Sequence, residues 1–241
     1  MRAVWRLLII LLVLFLLLVV ADRVAAWAGQ RAVAEQVATG LSQYQVDSAP
    51  PEVSFDRAPF LTQVASGRYE SVTLRLRDVG AGELRVPLVE LTATGVTASV
   101  STLLERDGPI QAERIEGTAT VGYDMVVTQA GLENLDLSAA GNGQLRVQVP
   151  ADVLGTSVTL AGQAEVAAVD GAVSLQVTEL TVQEPAEPPP GVEALIPQLV
   201  AQLSVTVPLP PLPYGLVVES VRAEPAGLVV RVSAQDVPLA R

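Results

Sequence analysis

The side chains that most enzymes use as nucleophiles or bases are missing from this sequence. The 241 residues include no His, no Cys and no Lys, and all fifteen basic residues are Arg. The chain therefore has no imidazole base, no thiolate nucleophile or zinc ligand, and no lysine for a Schiff base. It also lacks a Gly-x-Ser-x-Gly sequence, and no histidine exists to complete a serine triad. The sequence predicts a protein that is not an enzyme and that needs no metal and no cofactor.

Carboxylates are the groups left for catalysis. Two pairs lie close in sequence, Asp47 with Glu52 and Glu113 with Glu116, and each could activate a water molecule as glycosidases do. A hydrolase is thus one alternative, although no local motif supports it.

The charge of the chain limits its partners. Fifteen basic and twenty-six acidic residues give a formal net charge of −11. Such a surface repels nucleic acid phosphates, and no basic stripe with interleaved aromatic residues is present. We expect no nucleic acid partner, and we expect lipid contacts to be mainly apolar or locally assisted by Arg.

The N-terminus carries an export segment. Arg2 and Arg6 precede fifteen uninterrupted apolar residues, Leu7 to Ala21, which directs the following chain across a membrane. Residues 1–21 are either a cleaved signal peptide or an uncleaved signal anchor. The anchor is favoured because Trp5 and Trp27 bracket about 33 Å of helix, close to the ~30 Å of bilayer hydrocarbon. Either way, residues 22–241 are expected as a single exported domain, membrane-anchored or secreted, on the outer side of the cytoplasmic membrane.

The segment Asp22 to Leu41 predicts an amphipathic helix packed on that domain. Apolar residues recur at steps of three and four: Val24, Trp27, Ala28, Ala34, Val37, Ala38 and Leu41. The residues predicted to face elsewhere are Gln30, Arg31, Glu35 and Gln36.

From residue 44 onward the hydrophobic period is 2, as in antiparallel strands with one buried face. The alternating apolar sets are Val72-Leu74-Leu76, Val96-Ala98-Val100, Leu145-Val147-Val149, Val173-Leu175-Val177 and Leu228-Val230-Val232. Hairpin turns are predicted at Asp107-Gly108, Gly141-Asn142-Gly143 and Asp170-Gly171. Short helices are predicted at Phe60–Ser66, Ser101–Arg106 and Val192–Leu203, the last kinked or restarted at Pro197.

Two proline-rich segments interrupt this pattern. Residues 184–191 predict a stiff connector, interpreted as a surface crossover inside one domain. Residues 207–215 predict a sheet edge or a connector, because closely spaced prolines cannot join a central ladder. The fold class is therefore α+β, a curved antiparallel β-sheet wrapped around amphipathic helices, preceded by an apolar helix.

A known family has the same local sequences in the same order. The segment Ala58-Pro-Phe-Leu-Thr-Gln-Val-Ala-Ser-Gly-Arg-Tyr69 and the later Leu212-Pro-Tyr-Gly-Leu216, followed by Gly227-Leu-Val-Val, resemble signatures of the LmeA family of actinobacterial phospholipid-binding proteins. The resemblance covers about residues 22–239, and Leu88 to Glu184 match in pattern only.

This resemblance implies a tubular lipid-binding fold, related to the BPI fold, and a phospholipid partner in the cell envelope. Acyl chains would lie in an apolar groove lined by Phe60, Leu61, Val64, Val72, Leu74, Leu76, Leu195, Leu199, Leu212 and Tyr214. A headgroup would meet Arg57 or Arg68, with Arg75 and Arg77 as further candidates, because Arg binds phosphate in a bidentate manner. The alternative is a structural or interaction domain of the envelope with a filled core, no ligand and an unknown protein partner.

Overall fold

The coordinates are a computed structural model. It describes residues 2–43, 45–56, 59–81, 84–99, 101, 108–131, 135–153, 156–169, 171–185, 191–208 and 212–240. The candidate Arg57, the predicted helix after Ser101, Val100, Asp107, Asp170 and the centre of the connector lie outside these residues.

Four helices accompany twelve strands in the part of the chain that is described. The helices are α1 (Arg2–Gln43), α2 (Phe60–Ser66), α3 (Tyr123–Ala130) and α4 (Val192–Leu203). The strands are β1 (Val46–Asp47), β2 (Glu52–Asp56), β3 (Arg68–Ala81), β4 (Leu84–Thr97), β5 (Ile110–Val121), β6 (Asp136–Gly141), β7 (Gln144–Val153), β8 (Thr156–Val169), β9 (Ala172–Glu184), β10 (Val205–Pro208), β11 (Val217–Glu224) and β12 (Gly227–Ala240). The predicted α+β class is confirmed: an apolar N-terminal helix precedes curved antiparallel sheets.

The strands form two sheets. One has seven strands in the order β1-β3-β4-β5-β12-β11, with β2 also paired to β3, and the other has five in the order β10-β9-β8-β7-β6. The predicted turn at residues 141–143 joins β6 to β7. β10 is an edge strand of the five-stranded sheet, and it ends at Pro208. This position is expected for a proline, because it has no backbone N–H to donate to a neighbouring strand. β4 stops at Thr97, but the predicted alternation continues through Ser99, because Val96 and Ala98 are buried whereas Thr97 and Ser99 are exposed.

Chain contacts divide the protein into two compact units. Unit 1 comprises residues 1–77, 90–116 and 234–241, and unit 2 comprises residues 78–89 and 117–233. The long strands β3, β4, β5 and β12 contribute residues to both units. Both ends of the proline-rich connector belong to unit 2. A single domain over residues 22–241 stays a prediction.

α1 is one continuous helix of 42 residues, in which the apolar run and the predicted amphipathic segment are joined without a break. Length and composition make Trp5–Gln43 a candidate membrane span, and only 6% of its most apolar window is buried in the protein. The later part of α1 packs against β1, β2 and α2 in unit 1, as the sequence predicted.

The face by which α1 packs differs from the predicted one. Val24 and Trp27 are each 59% exposed, whereas Asp22 is buried and Gln30 is half-buried. The packed side follows Asp22, Ala26, Gly29, Val33 and Val37, at three- and four-residue steps. The predicted face was wrong at Val24 and Trp27, because Asp22 begins the packed side, where its carboxylate accepts a hydrogen bond from the N–H of Leu61 in α2.

Three of the shorter helices show how far local sequence signals reach. α2 and α4 have the predicted bounds, and α4 passes through Pro197 as one helix instead of restarting there. α3 was not predicted, although Tyr123, Val126 and Val127 have helical spacing and Gly131 ends the helix in the left-handed conformation. The helix has only eight residues and lies between two β-strands, so its helical periodicity was too short to be recognised in the sequence.

Unit 2 has a filled aliphatic core. Leu145 and Val147 of β7 are 0% exposed, and Val158 and Leu160 of β8 are 1% exposed. α4 closes this core from one side, because its first residue, Val192, is 1% exposed and Ile196 and Val200 pack against the same cluster.

Candidate functional site

An apolar face extends across the strands of unit 1. The register of β2 on β3 places Val53 opposite Leu74 and Phe55 opposite Val72, so these side chains share one face. Thr73 contacts Thr92 and Arg75 contacts Glu90, which fixes an antiparallel register in which Leu91 and Ala93 of β4 continue the same face. We call this surface the apolar strand face; its members are Val53, Phe55, Val72, Leu74, Leu91 and Ala93.

The apolar strand face is only partly covered. All six of its side chains are half-buried, in contrast to the fully buried core of unit 2. Solvent-accessible aliphatic surface on a sheet of long strands is what an acyl chain needs, because burying each CH₂ contributes about 0.8 kcal/mol. Two predicted groove residues, Val72 and Leu74, are therefore placed where they could contact a lipid chain.

An aromatic cluster lies at the end of this face, beside α2. The ring centroid of Phe60 is 4.8 Å from that of Phe55 and 6.2 Å from that of Tyr69. The backbone of Gly29 in α1 approaches the cluster so closely that a Cβ there would lie 3.0 Å from Cζ of Phe60. Phe60 is 8% exposed and thus serves as a core residue of unit 1.

Tyr69 carries a polar group into the same cluster. The residue is 4% exposed, and its hydroxyl has no hydrogen-bond partner among the described residues. Burial raises the pKa of the Tyr69 phenol, so that the group stays neutral at physiological pH.

The segment around α2 is held by its own polar contacts. The amide of Gln63 donates a hydrogen bond to the carbonyl of Asp56, and its oxygen accepts one from the N–H of Glu70. Gly67 ends α2 with φ of +66° and donates its N–H to the carbonyls of Gln63 and Val64. Several residues of the signature segment are therefore fold determinants. The remaining predicted groove residues of α2 are Leu61, which is 39% exposed, and Val64, which is half-buried.

The described headgroup candidates are all paired with carboxylates. Arg68 donates to Glu113, Arg75 to Glu90 at 3.1 Å, and Arg77 lies 3.1 Å from Glu52. The hydrogen bond to Glu90 raises the pKa of Arg75. A phosphate that approached these guanidinium groups would compete with a carboxylate in each case. The role of Arg68 in headgroup binding stays a prediction, and Arg57 lies outside the described residues.

Ion pairs with Arg also involve three of the four carboxylates that were considered for hydrolysis. Glu52 contacts Arg77, Glu113 contacts Arg68, and Glu116 contacts Arg114 at 3.2 Å. Within the described ranges no group of three or more acidic residues could hold a metal ion. These carboxylates join neighbouring strand residues on the polar side of the sheet.

Of the other predicted groove residues, one belongs to unit 1 and four belong to unit 2. Leu76, the last of the β3 set, still lies in unit 1 and is 6% exposed. In unit 2, Leu199 packs against the filled core and Leu195 is 40% exposed. Leu212 is half-buried, and Tyr214 is 57% exposed with φ of +59°. The structure thus brings Phe60, Val72 and Leu74 together in unit 1, and a groove formed by all ten residues stays a prediction.

Two clefts open on unit 2, and both are polar. One, of about 760 Å³, has Gln144, Glu165, Arg222 and Glu224 among its lining residues. The other, of about 480 Å³, is lined by Arg146 and Gln148 together with polar residues of β8 and β9. These clefts were not predicted from the sequence. Their polar walls do not suit an acyl chain, because a hydrocarbon would displace water from polar groups there.

Comparison with known proteins supplies one match. A family model described as LmeA-like phospholipid-binding matches residues 20–233. No curated protein matches the chain, and no solved structure matches it. The matched range begins within α1 and ends in β12, and it includes the apolar strand face and the aromatic cluster.

Proposed function

The chain belongs to the LmeA-like phospholipid-binding family, and on that premise we propose that it binds phospholipid acyl chains along the apolar strand face of unit 1. The family match, which extends over residues 20–233, is the observation that carries the proposal. A sixteen-carbon chain offers on the order of 10 kcal/mol of burial free energy before entropic costs. Binding of this kind needs no catalytic group, so we propose a binding protein and not an enzyme.

The structural support comes from the contrast between the two units. The core of unit 2 contains side chains that are at most 1% exposed, such as Leu145, Val147 and Leu160, whereas Val72, Leu74 and Leu91 of unit 1 are half-buried. Three aromatic residues of unit 1 form a cluster at one end of the face, where the ring centroids of Phe55, Phe60 and Tyr69 are within 6.2 Å of one another. A smooth aliphatic surface bounded by an aromatic cluster suits a flexible hydrocarbon chain.

The proposed location is the outer side of the cytoplasmic membrane, within the cell envelope. α1 is long and apolar enough to span a bilayer, and Arg2 and Arg6 before the apolar run favour an N-terminus on the inner side. An uncleaved α1 would anchor the lipid-binding domain at the surface from which its ligand comes. Transfer of lipid between membranes is a further step of the same proposal.

A chain that starts at Asp22 tests the proposal without the apolar run. This form retains the part of α1 that packs against unit 1, but it lacks the segment that would carry lipid merely as an anchor. After purification, organic extraction and mass spectrometry, we expect phospholipid in a fixed ratio to protein, and uptake of a fluorescent phospholipid from vesicles. An unrelated exported domain purified in parallel gives the background. Absence of both signals would reject lipid binding.

The filled core of unit 2 favours the second candidate, a structural or interaction domain of the envelope. Leu145 and Val147 leave no space beside them, so that unit 2 serves as a scaffold in either case. This candidate predicts that the Asp22 form carries no lipid and that chemical crosslinking in cells recovers a protein partner.

A further inference from the structure

The contact between α1 and α2 lies directly after the apolar run. Asp22 follows Ala21, is 6% exposed, and accepts a hydrogen bond from the N–H of Leu61 at 2.8 Å. The residue before α2 is Pro59, which supplies no side-chain cap, so a carboxylate from another helix satisfies this N–H. Two turns later, Gly29 of α1 packs against Phe60. α2 is thus fixed at the level at which the apolar run Leu7 to Ala21 ends.

Helix geometry gives the depth of this contact in a bilayer. Trp5 and Trp27 are separated by about 33 Å of helix rise, against a hydrocarbon thickness of ~30 Å. With the two indoles at the two interfaces, Asp22 lies about 7.5 Å closer to the bilayer centre than Trp27. The N–H of Leu61 bonds to Asp22 and has to lie at the same depth. Asp22 is then about 9 Å from the bilayer centre, so the start of α2 lies about 6 Å inside the hydrocarbon edge, in the upper part of the acyl-chain region.

The side chains exposed at this level have the chemistry of a membrane interface. Val24 and Trp27 are each 59% exposed on α1, and Leu61 is 39% exposed on α2. Arg31 lies with its guanidinium carbon 5.5 Å from the Trp27 ring centroid, and Arg23 is exposed beside them. The acidic residue of this level, Asp22, is turned inward and used by α2. The exposed surface at this level thus combines apolar and aromatic side chains with Arg, while the carboxylate of Asp22 is buried. This composition is typical of residues at the boundary between acyl chains and phospholipid headgroups.

We propose that the first turn of α2 and the exposed residues Val24, Trp27 and Leu61 form a membrane-contact collar, which inserts through the headgroup layer into the upper acyl-chain region of the bilayer that α1 crosses. The inference rests on the proposed anchoring by α1. It adds that the domain is not held on a flexible tether: unit 1 is fixed on the membrane surface through Asp22. Singly exposed apolar residues are common on proteins, but Val24 and Trp27 lie within two turns of the end of the apolar run at Ala21, and Leu61 is held at the same level by its hydrogen bond to Asp22.

The absence of cysteine from the sequence allows a site-specific test on the full chain. A Leu61→Cys variant has one thiol, which can carry the fluorophore NBD after reconstitution into vesicles of phosphatidylcholine and phosphatidylglycerol. The matched control is Gln36→Cys. Gln36 is exposed on α1, about 21 Å of helix rise beyond Asp22 and therefore farther from the bilayer. Phosphatidylcholine with a nitroxide on carbon 5 of its acyl chain quenches NBD only near the bilayer. A protein pocket without lipid leaves NBD unquenched.

We expect quenching of the Leu61 probe at least twofold stronger than quenching of the Gln36 probe. A second variant, Trp5→Phe, leaves Trp27 as the one indole of the chain, and its emission should be quenched by the same lipid without any change in α2. Equal, weak quenching at Leu61 and Gln36 in a chain that resists carbonate extraction would overturn the collar but not the anchor. Release of the chain by carbonate would refute the proposed anchoring and, with it, the collar.

Discussion

Replacing Gly67 by alanine tests whether the signature segment is a fold determinant. Gly67 has φ of +66°, and a Cβ at this position would lie 3.1 Å from the carbonyl oxygen of Ala98. The two residues are also joined by a hydrogen bond of 3.0 Å from the N–H of Ala98 to the carbonyl of Gly67. An added methyl group would therefore strain the backbone of Gly67 and push away the chain at the end of β4.

The magnitude follows from two separate costs. An L-residue in the left-handed helical conformation costs about 1–2 kcal/mol relative to glycine. Crowding against a backbone oxygen, which cannot rotate away as a side chain could, adds about 1 kcal/mol or more. We expect Gly67→Ala to lower the free energy of unfolding by about 2–4 kcal/mol.

The matched control is Gly131→Ala. Gly131 ends α3 with the same φ of +66°, but a Cβ there meets no atom of the described residues within 4 Å. It should cost only the conformational part, about 1–2 kcal/mol. Urea unfolding of the full chain in a mild detergent, followed by far-UV circular dichroism, measures both variants. Equal losses for the two, or a loss below about 1 kcal/mol for Gly67→Ala, would refute the assignment of Gly67 to a crowded turn.

Three further substitutions give outcomes of different kinds. Leu74→Asn should weaken binding of a fluorescent phospholipid roughly tenfold, because about 1.5 kcal/mol of apolar contact is lost, while Ser54→Asn on the opposite face of the strand pair leaves it unchanged; equal effects would contradict the assigned face. Tyr69→Phe should stabilise the chain by about 1 kcal/mol at neutral pH, since a buried hydroxyl without a described partner is removed. Burial raises the pKa of Tyr69, so its neutral form favours the fold, and stability should fall as the pH rises above about 10. That fall in stability should be smaller in Tyr69→Phe. Urea unfolding midpoints of both proteins at neutral pH and at a pH above about 10 would measure it. Gly162→Ala should cost about 3 kcal/mol in urea unfolding because its Cβ would overlap the carbonyl of Glu179 on the paired strand β9; a loss below 1 kcal/mol would contradict this β8–β9 register.

The elements were predictable where one physical signal dominated. Alternation in Val72, Leu74 and Leu76 follows directly from a strand with one apolar face, and these residues lie in β3. α2 and α4 were predicted with their bounds because flanking Pro and Gly residues punctuate the chain there. The family was also predicted from two short signatures, and the match over residues 20–233 confirms it.

What escaped prediction depended on contacts between distant residues. The burial of Asp22 was not predicted, because it depends on the N–H of Leu61, thirty-nine residues later in the chain. Arg68 was considered free to meet a headgroup, whereas strand register brings Glu113 to it. The division into two units was not foreseen either, although the alternation of β3 and β12 is interrupted at Asp78 and Asp236, whose φ values are +53° and +51°.

Photo-crosslinking of a phospholipid in the membrane-bound full chain tests the central claim most directly. A diazirine in the acyl chain records which residues the hydrocarbon touches, and cleavage after Arg68 and Arg75 releases residues 69–75 of β3 as one peptide that carries Val72 and Leu74. We predict lipid adducts on this peptide in addition to those on the apolar run of α1. Adducts confined to α1, with residues 69–75 unmodified, would contradict phospholipid binding on the apolar strand face.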